Sequence, residues 1–335
     1  MRVEGSAAEE PEARCGHGAR SQSEMNTNNG TATRLSERIL YWLVERLYHT
    51  EVAHTEEMKN AVRQQEFYEA HRANEFAEAV AAARRYGVDW NGKDVLDIGC
   101  QNGSLTVQYL QYGARRVVGI DIDADAVRRA QEKYAHPSVE YLVSAPGTIP
   151  LPDNSIDAIV GVDVFEHVAQ PLVLLRECRR VLRPGGGMLI RTWGWYHPFA
   201  PHLWATIPVP WAHVVFSEKT LMRTAHRVFH SSWYKPIMWD FDEQGRKDTQ
   251  KYQETEISTD YLNKFLMRDF ERAFKESGLH YRMHLLPFSS RYARWTKPFI
   301  HLPYVREFFT SYFWAALSKT LLLCSLASTL ASSTG

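Results

Sequence analysis

The sequence predicts an α/β fold built on a mostly parallel sheet flanked by helices, and three observations carry that prediction. From Asp94 to Trp193, short apolar runs alternate with amphipathic stretches: VLDI, 104–112, RVVGID, 124–135, VEYLV, IDAIVGV, 171–182 and GMLIRTW. Strand followed by helix, repeated in this way, is the pattern of parallel strands joined by crossovers. The runs are rich in Val, Ile and Leu throughout, as strands covered on both faces are. The first run ends in Asp97 and then in two glycines, Gly99 and Gly103. A strand that stops at a bare glycine turn lets backbone approach a ligand closely.

The flanking elements follow in order. Residues 1–32 are polar, without an apolar run, and read as a disordered leader. Over 33–90, Leu35, Ile39, Trp42, Leu43 and Leu47 recur at helical spacing, and Phe67, Ala70, Phe76, Ala77 and Val80 do so again. The core covers 91–192, and 193–260 is an insertion holding most of the tryptophans, several histidines and prolines. Irregular aromatic segments at strand ends serve as lids or substrate walls. An amphipathic helix near 261–277 and the strand HYRMHLLPF complete the core over 261–290. The last stretch, 291–335, reads as a packed helix and a frayed tail; Lys319 and frequent Ser and Thr weigh against a membrane span or contact there.

Composition narrows the function. With 39 basic and 39 acidic residues among 335, no global field draws the chain to nucleic acid or to anionic membrane. Cys15, Cys100, Cys178 and Cys324 are widely separated, which fits a reducing compartment and a cytoplasmic location. The glycine spacing G-x-x-x-G, with Gln101 between, departs from the G-x-G-x-x-G of dinucleotide enzymes. RVVGID ends in Asp121, a carboxylate placed to accept both hydroxyls of a ribose.

These residues stand within five motifs: VLDIGCQNG (95–103), VVGID (117–121), IPLPDNSID (149–157), DVFEHV (163–168) and LRPGG (182–186). In that order they resemble the class I S-adenosylmethionine-dependent methyltransferases, in particular the type 11 (UbiE/UbiG-like) subgroup. The resemblance implies a Rossmann-like, seven-stranded sheet and S-adenosyl-L-methionine as cofactor. It places Asp97 near the methionine amine, Gly99 and Gly103 under the cofactor and Asp121 on the ribose, with Gln101, Ile122, Ala145 and Asp163 as further cofactor-side positions. Two positions depart from the family pattern. Gln101 stands where a glycine is usual, and Ala145 where many relatives carry an Asp that reads the adenine amine.

Methyl transfer needs a nucleophile held in line with an already activated methyl, and a hydroxyl acceptor also needs a base. His167, with Glu166 beside it, is the candidate base at the end of the fourth strand, and His213 a candidate from the insertion. Some relatives with E-x-x-E-H at this place hold a divalent cation, which would make ligands of Asp163, Glu166 and His167 with His197, His202 or His213. Many metal-free relatives share the letters, and the sequence assigns no metal. The aromatic insertion points to a small-molecule acceptor, methylated on oxygen, with carbon or nitrogen as the alternative; an inactive cofactor-binding scaffold is the reading of a different class. The sequence does not fix the oligomeric state.

Overall fold

All five residues of β1 (Asp94–Ile98) are buried, and β1 lies near the middle of a seven-stranded sheet. The computed structural model describes residues 34–51, 55–242, 244–259, 261–288 and 293–320; the expected leader and the end of the tail lie outside them. The other strands are β2 (Arg116–Asp121), β3 (Val139–Val143), β4 (Ile156–Val162), β5 (Leu182–Thr192), β6 (His280–Pro287) and β7 (Thr310–Ser318). Their order across the sheet is β3-β2-β1-β4-β5-β7-β6, with every neighbour parallel except β7, which runs against both β5 and β6. This is the expected seven-stranded, mostly parallel Rossmann-like sheet. The order reverses beside β1, so a crevice opens at the carboxyl ends of β1 and β4.

The α-helices among the described residues are α1 (34–47), α2 (Glu56–Ala61), α3 (Gln65–Tyr86), α4 (Ala124–Lys133), α5 (Pro171–Val181), α6 (Ala212–Val215), α7 (Glu218–Phe229), α8 (Met267–Glu276), α9 (Ala293–Thr296) and α10 (Arg306–Phe309). Period-two alternation divides each strand between two cores. Leu96, Met188, Ile190 and Phe313 face a cluster with Leu174, Phe270 and Phe274 of α5 and α8. Val95, Leu189 and Trp314 face Phe76, Ala79 and Ala83 of α3. A third cluster joins Leu40 and Val44 of α1 to Leu203, Ile207, Leu221 and Phe229 of the insertion. The helical segment expected at 33–90 therefore divides, α3 covering the sheet and α1 bracing the insertion.

Three expectations are corrected. Residues 310–318 form β7, where the sequence suggested a packed helix. The run is apolar on both faces because both faces are buried, with Trp314 and Ala316 to one side and Phe313, Ala315 and Leu317 to the other. A strand covered on both sides loses the alternation that identifies it. The helix expected at 261–277 begins at Met267, and residues 261–266 instead cross the strand ends. The segment at 104–112 is a 3-10 helix over Thr106–Tyr112. Its three-residue turn aligns Thr106 and Tyr109, and both point at Asp97.

Candidate active site

The turn after β1 is hydrogen-bonded to β2 through the amides of Gly99 and Cys100, which both donate to the Ile120 carbonyl at 2.9 and 3.0 Å. Asp121, at the tip of β2, accepts from the Gln101 amide at 2.9 Å and from the Asp123 amide at 3.0 Å. One carboxylate thus ties the glycine turn to the ribose position. Gln101 is exposed and adopts φ 46°, the left-handed conformation that a glycine takes without strain. A side chain on Gly99 (φ 75°) would meet Val164 at 2.6 Å, so its bareness lets the loop after β4 close on the turn. One on Gly103 (φ 78°) would meet Ala130 and Tyr141, both at 2.8 Å. Gly103 is therefore required by helix and strand packing.

Asp97 lies beneath this turn, 8% exposed, accepting from Thr106 Oγ1 at 2.6 Å and Tyr109 Oη at 3.4 Å. Burial pushes its carboxyl up to about 6, and among the described residues it has no ion-pair partner. On the outer side, Ile122 follows Asp121 and is 65% exposed, an apolar side chain that no packing in the protein uses. Ala145 leaves its place without a side-chain polar group, beside Ser144, whose amide donates to the Asp121 carbonyl.

A second group of polar and aromatic side chains is built after β4 and β5. Asp163 (φ 54°) is held by Arg191, through Nε at 2.8 Å and a second, shorter contact from Nη2, and by Arg72 at 2.9 Å. Glu75 of α3 completes the network on Arg191 and Arg72. Burial alone would raise Asp163, but the two guanidiniums hold it below the usual carboxylate range. Both its oxygens accept from guanidiniums, so the structure gives Asp163 a place in an ion-pair network that the sequence did not show. Its function is to fasten α3 to the strand ends.

Glu166 is 4% exposed; Thr192 donates to its Oε2 at 2.7 Å, while Oε1 is buried with no partner. Burial, reinforced by Asp163, raises its carboxyl above the usual range. His167 Nδ1 lies 2.8 Å from the Tyr261 carbonyl, which makes Nδ1 the donor and leaves Nε2 with its lone pair open. Burial lowers His167, and burial with the His167 ring beside it lowers His202 to about 3, so both rings are neutral at pH 7. The two rings stand 5.0 Å apart, with Tyr261 5.1 Å from His167 and Trp193 5.4 Å from His202. One potential ligand atom from each of Glu166, His167 and His202 falls within a single 4.8 Å group.

His213 lies elsewhere. Its Nε2 pairs with the Trp195 carbonyl at 2.7 Å inside the insertion, and it is not among the residues gathered at Glu166. In its place the structure brings His202, Tyr261 and Asn263. Asn263, just after the insertion, donates to the carbonyls of Phe165 and Val168 at 2.7 and 3.0 Å and so holds the EH turn in shape. Arg191 had a sequence signal, being a charge directly after the buried apolar run Met188–Ile190 of β5, where burial demands an opposite charge. Tyr261 and Asn263 had none, because their role arises from the path of an irregular segment.

Residues 96–190 match the family model described as a methyltransferase domain. Residues 96–190 are thus similar to S-adenosylmethionine-dependent methyltransferase domains. A probable S-adenosylmethionine-dependent methyltransferase of Mycolicibacterium smegmatis is 39% identical over 101 residues, which are 30% of this chain and 38% of that protein. A ubiquinone biosynthesis O-methyltransferase of Dinoroseobacter shibae is 35% identical over 125 residues, 33% of this chain and 47% of that one. The chain spans less than half the length of these curated relatives. An S-adenosylmethionine-dependent methyltransferase structure from Mesorhizobium loti superposes with a TM-score of 0.43 at 18% identity, covering 71% of this chain and 95% of the other. Among the described residues no helix is long and apolar enough to cross a membrane.

The cofactor of this domain class is S-adenosyl-L-methionine, and the strand ends fit it. Asp121 has carboxylate lone pairs beyond its two amide donors, suited to ribose hydroxyls. The exposed Ile122 offers an apolar face to adenine. The buried Asp97, lacking a cation, suits the methionine ammonium.

Proposed function

We propose that the chain transfers the methyl group of S-adenosylmethionine to a hydroxyl oxygen of a small-molecule acceptor. The observation that carries this reading is the nearness of two sites: Val164 closes on Gly99 of the cofactor turn, and three residues later His167 holds an open lone pair among the rings of Tyr261 and His202, with Trp193 beside His202. The cofactor, when bound, supplies a sulfonium-activated methyl. The chain's own part is to hold the acceptor oxygen in line and to receive its proton. The bound cofactor would give up its S–CH3 bond to a new O–CH3 bond and be left as a neutral thioether, and His167 would receive the hydroxyl proton. A neutral imidazole can take that proton, and burial keeps His167 neutral at pH 7. Aromatic walls favour an acceptor with a flat or apolar body, and similarity to a protein named for O-methylation agrees with oxygen as the target.

The test is methyl transfer from labelled cofactor to a panel of phenols, catechols and sugar alcohols, each paired with its O-blocked analogue. The reading predicts label only on the free hydroxyl compounds. Transfer to the blocked analogues would indicate carbon or nitrogen methylation. Tight binding of the demethylated cofactor with no transfer to any acceptor would support the scaffold reading that the missing side chain at Ala145 motivates.

A further inference from the structure

We infer that residues 295–306, with the groove behind them, dock this chain on an anionic membrane surface. The starting point is the distribution of charge. The chain as a whole is neutral, yet from Ser277 to Arg306 it carries five Lys or Arg, three His and no Asp or Glu over 30 residues. Like charges gathered in an otherwise balanced chain make a local field that the net charge hides. Arg306 is paired with Glu271 at 2.9 Å. Arg282 and Lys297, with Arg84 and Arg85 at the end of α3, are exposed, and none of the four has an ion-pair partner among the described residues.

The same segment exposes its apolar side chains. Trp295, Phe299, Leu302, Tyr304 and Val305 all stand exposed within eleven residues, Trp295 at 68% and Tyr304 at 92%. Other residues anchor the segment: Ile300 is buried, Phe299 stacks on Phe309 with centroids 4.7 Å apart, and Tyr196 of the insertion stacks on Phe308 at 4.5 Å. The outward side chains are therefore presented from a held loop. Tyr304 adopts φ 69°, a left-handed conformation that costs a bulky residue energy. Packing does not recover that cost, since the ring is almost wholly in water.

Behind the loop, β6 is an edge strand of the sheet, and a groove of about 340 Å3 lies between it and the end of α3. Its lining mixes Arg85, His284 and His301 with Met283, Leu286 and Ile300. His284 stacks on Tyr86 at 3.8 Å, which holds the imidazole at the groove wall. Cations beside aliphatic and aromatic side chains suit the layer where lipid phosphates meet acyl chains. A single-stranded nucleic acid would use the basic and aromatic groups, but Leu302 and Val305 have no face on which a base can stack. The contact is a surface one, because among the described residues no helix is long and apolar enough to cross a membrane. It also precedes Lys319 and the hydroxyl-rich tail, the features that weigh against membrane contact at this end of the chain. Neither the surface nor its test depends on methyl transfer.

The untagged full chain is mixed with vesicles of phosphatidylcholine, alone or with about 30% phosphatidylglycerol, and the bound fraction is measured by co-sedimentation. Binding to the anionic vesicles should be at least about tenfold tighter than to the neutral ones, and roughly 0.5 M salt should remove most of the difference. Tyr304→Ala combined with Leu302→Ser should weaken binding to the anionic vesicles by about tenfold or more, and Lys297→Glu combined with Arg85→Glu by a similar factor. All four side chains are exposed, and circular dichroism reports whether the variants fold; Tyr304→Ala and Lys297→Glu alone, each expected to weaken binding by about threefold, are the substitutes if a double variant does not. Phe67→Ala removes an exposed aromatic on α3 about 27 Å along the helix from Arg85 and should change nothing. The inference is overturned by absence of binding to anionic vesicles, by equal binding to neutral ones, or by binding that survives both patch variants. A single-stranded oligonucleotide bound by the chain and lost in the patch variants, with no vesicle binding, would overturn it in favour of a nucleic-acid surface.

Discussion

The cofactor turn and the acceptor cluster lie side by side at the strand ends, yet they are made in opposite ways. At the cofactor turn, Asp97, Gly99, Gln101, Gly103 and Asp121 lie within 25 residues of sequence, and backbone hydrogen bonds between β1 and β2 fix them. At the acceptor cluster, Glu166 and His167 come from the core, while His202, Tyr261 and Asn263 arrive from segments up to 98 residues away. The first region is local and tightly packed around bare glycines. The second depends on a long irregular insertion that folds back over the sheet. On the proposed function, cofactor handling would be built into the sheet, and acceptor handling into what the insertion adds.

The largest effect that should separate the two regions comes from His167→Ala. Turnover should fall by about 10²–10⁴, with unchanged affinity for S-adenosylhomocysteine, measured by initial rates and calorimetry on the same preparation. Near-normal turnover would favour a carbon or nitrogen acceptor that needs no base.

The cofactor region should instead respond in stability. Gly103→Ala combines a left-handed φ with contacts of 2.8 Å to Ala130 and Tyr141, and should cost about 2–5 kcal/mol in urea unfolding. Gly185→Ala is the control, since its φ of 80° is similar but nothing stands within 4 Å; its loss should be confined to the backbone strain, about 1–2 kcal/mol.

Asp97→Asn tests the buried carboxylate. Its folded value, about 6, lies above the unfolded one. The folded state therefore holds the proton more tightly. The stabilisation is fully present below the unfolded value, near 4, and is lost as pH rises through 6, by up to about 3 kcal/mol. The variant cannot ionise, so between pH 4 and 7 its stability should fall less than that of the wild type, while its affinity for the cofactor drops. The smallest effect belongs to Gln101→Gly. It relieves a left-handed side-chain residue and adds unfolded-state freedom, for a net change within about 1 kcal/mol. Cofactor affinity should be retained; a large loss would show that the Gln101 side chain is itself a contact.

The contrast also explains what could be read in the sequence. The sheet, its first five strands and the turn residues were legible because each motif is contiguous and each strand carries its own apolar run. β7 was not, since a strand buried on both faces shows no period, and Phe313–Leu317 reads equally well as a packed helix. The ion-pair network of Asp163 was hidden for a similar reason: its letter belongs to a motif, but its partners, Arg72 and Arg191, lie 91 and 28 residues away. His213 and His202 are equivalent in a string of letters. Only the path of residues 193–266 decides that His202 meets Glu166 and that His213 turns to Trp195.

The central claim, that the ends of β1 and β2 hold S-adenosylmethionine, is tested most directly by calorimetric titration of the chain with S-adenosylhomocysteine, alongside Asp121→Ala. The account predicts one site per chain, weakened by about 10–100-fold in the variant as the charge-assisted bonds to ribose are lost. No binding to the wild type, or equal binding to both proteins, would contradict it.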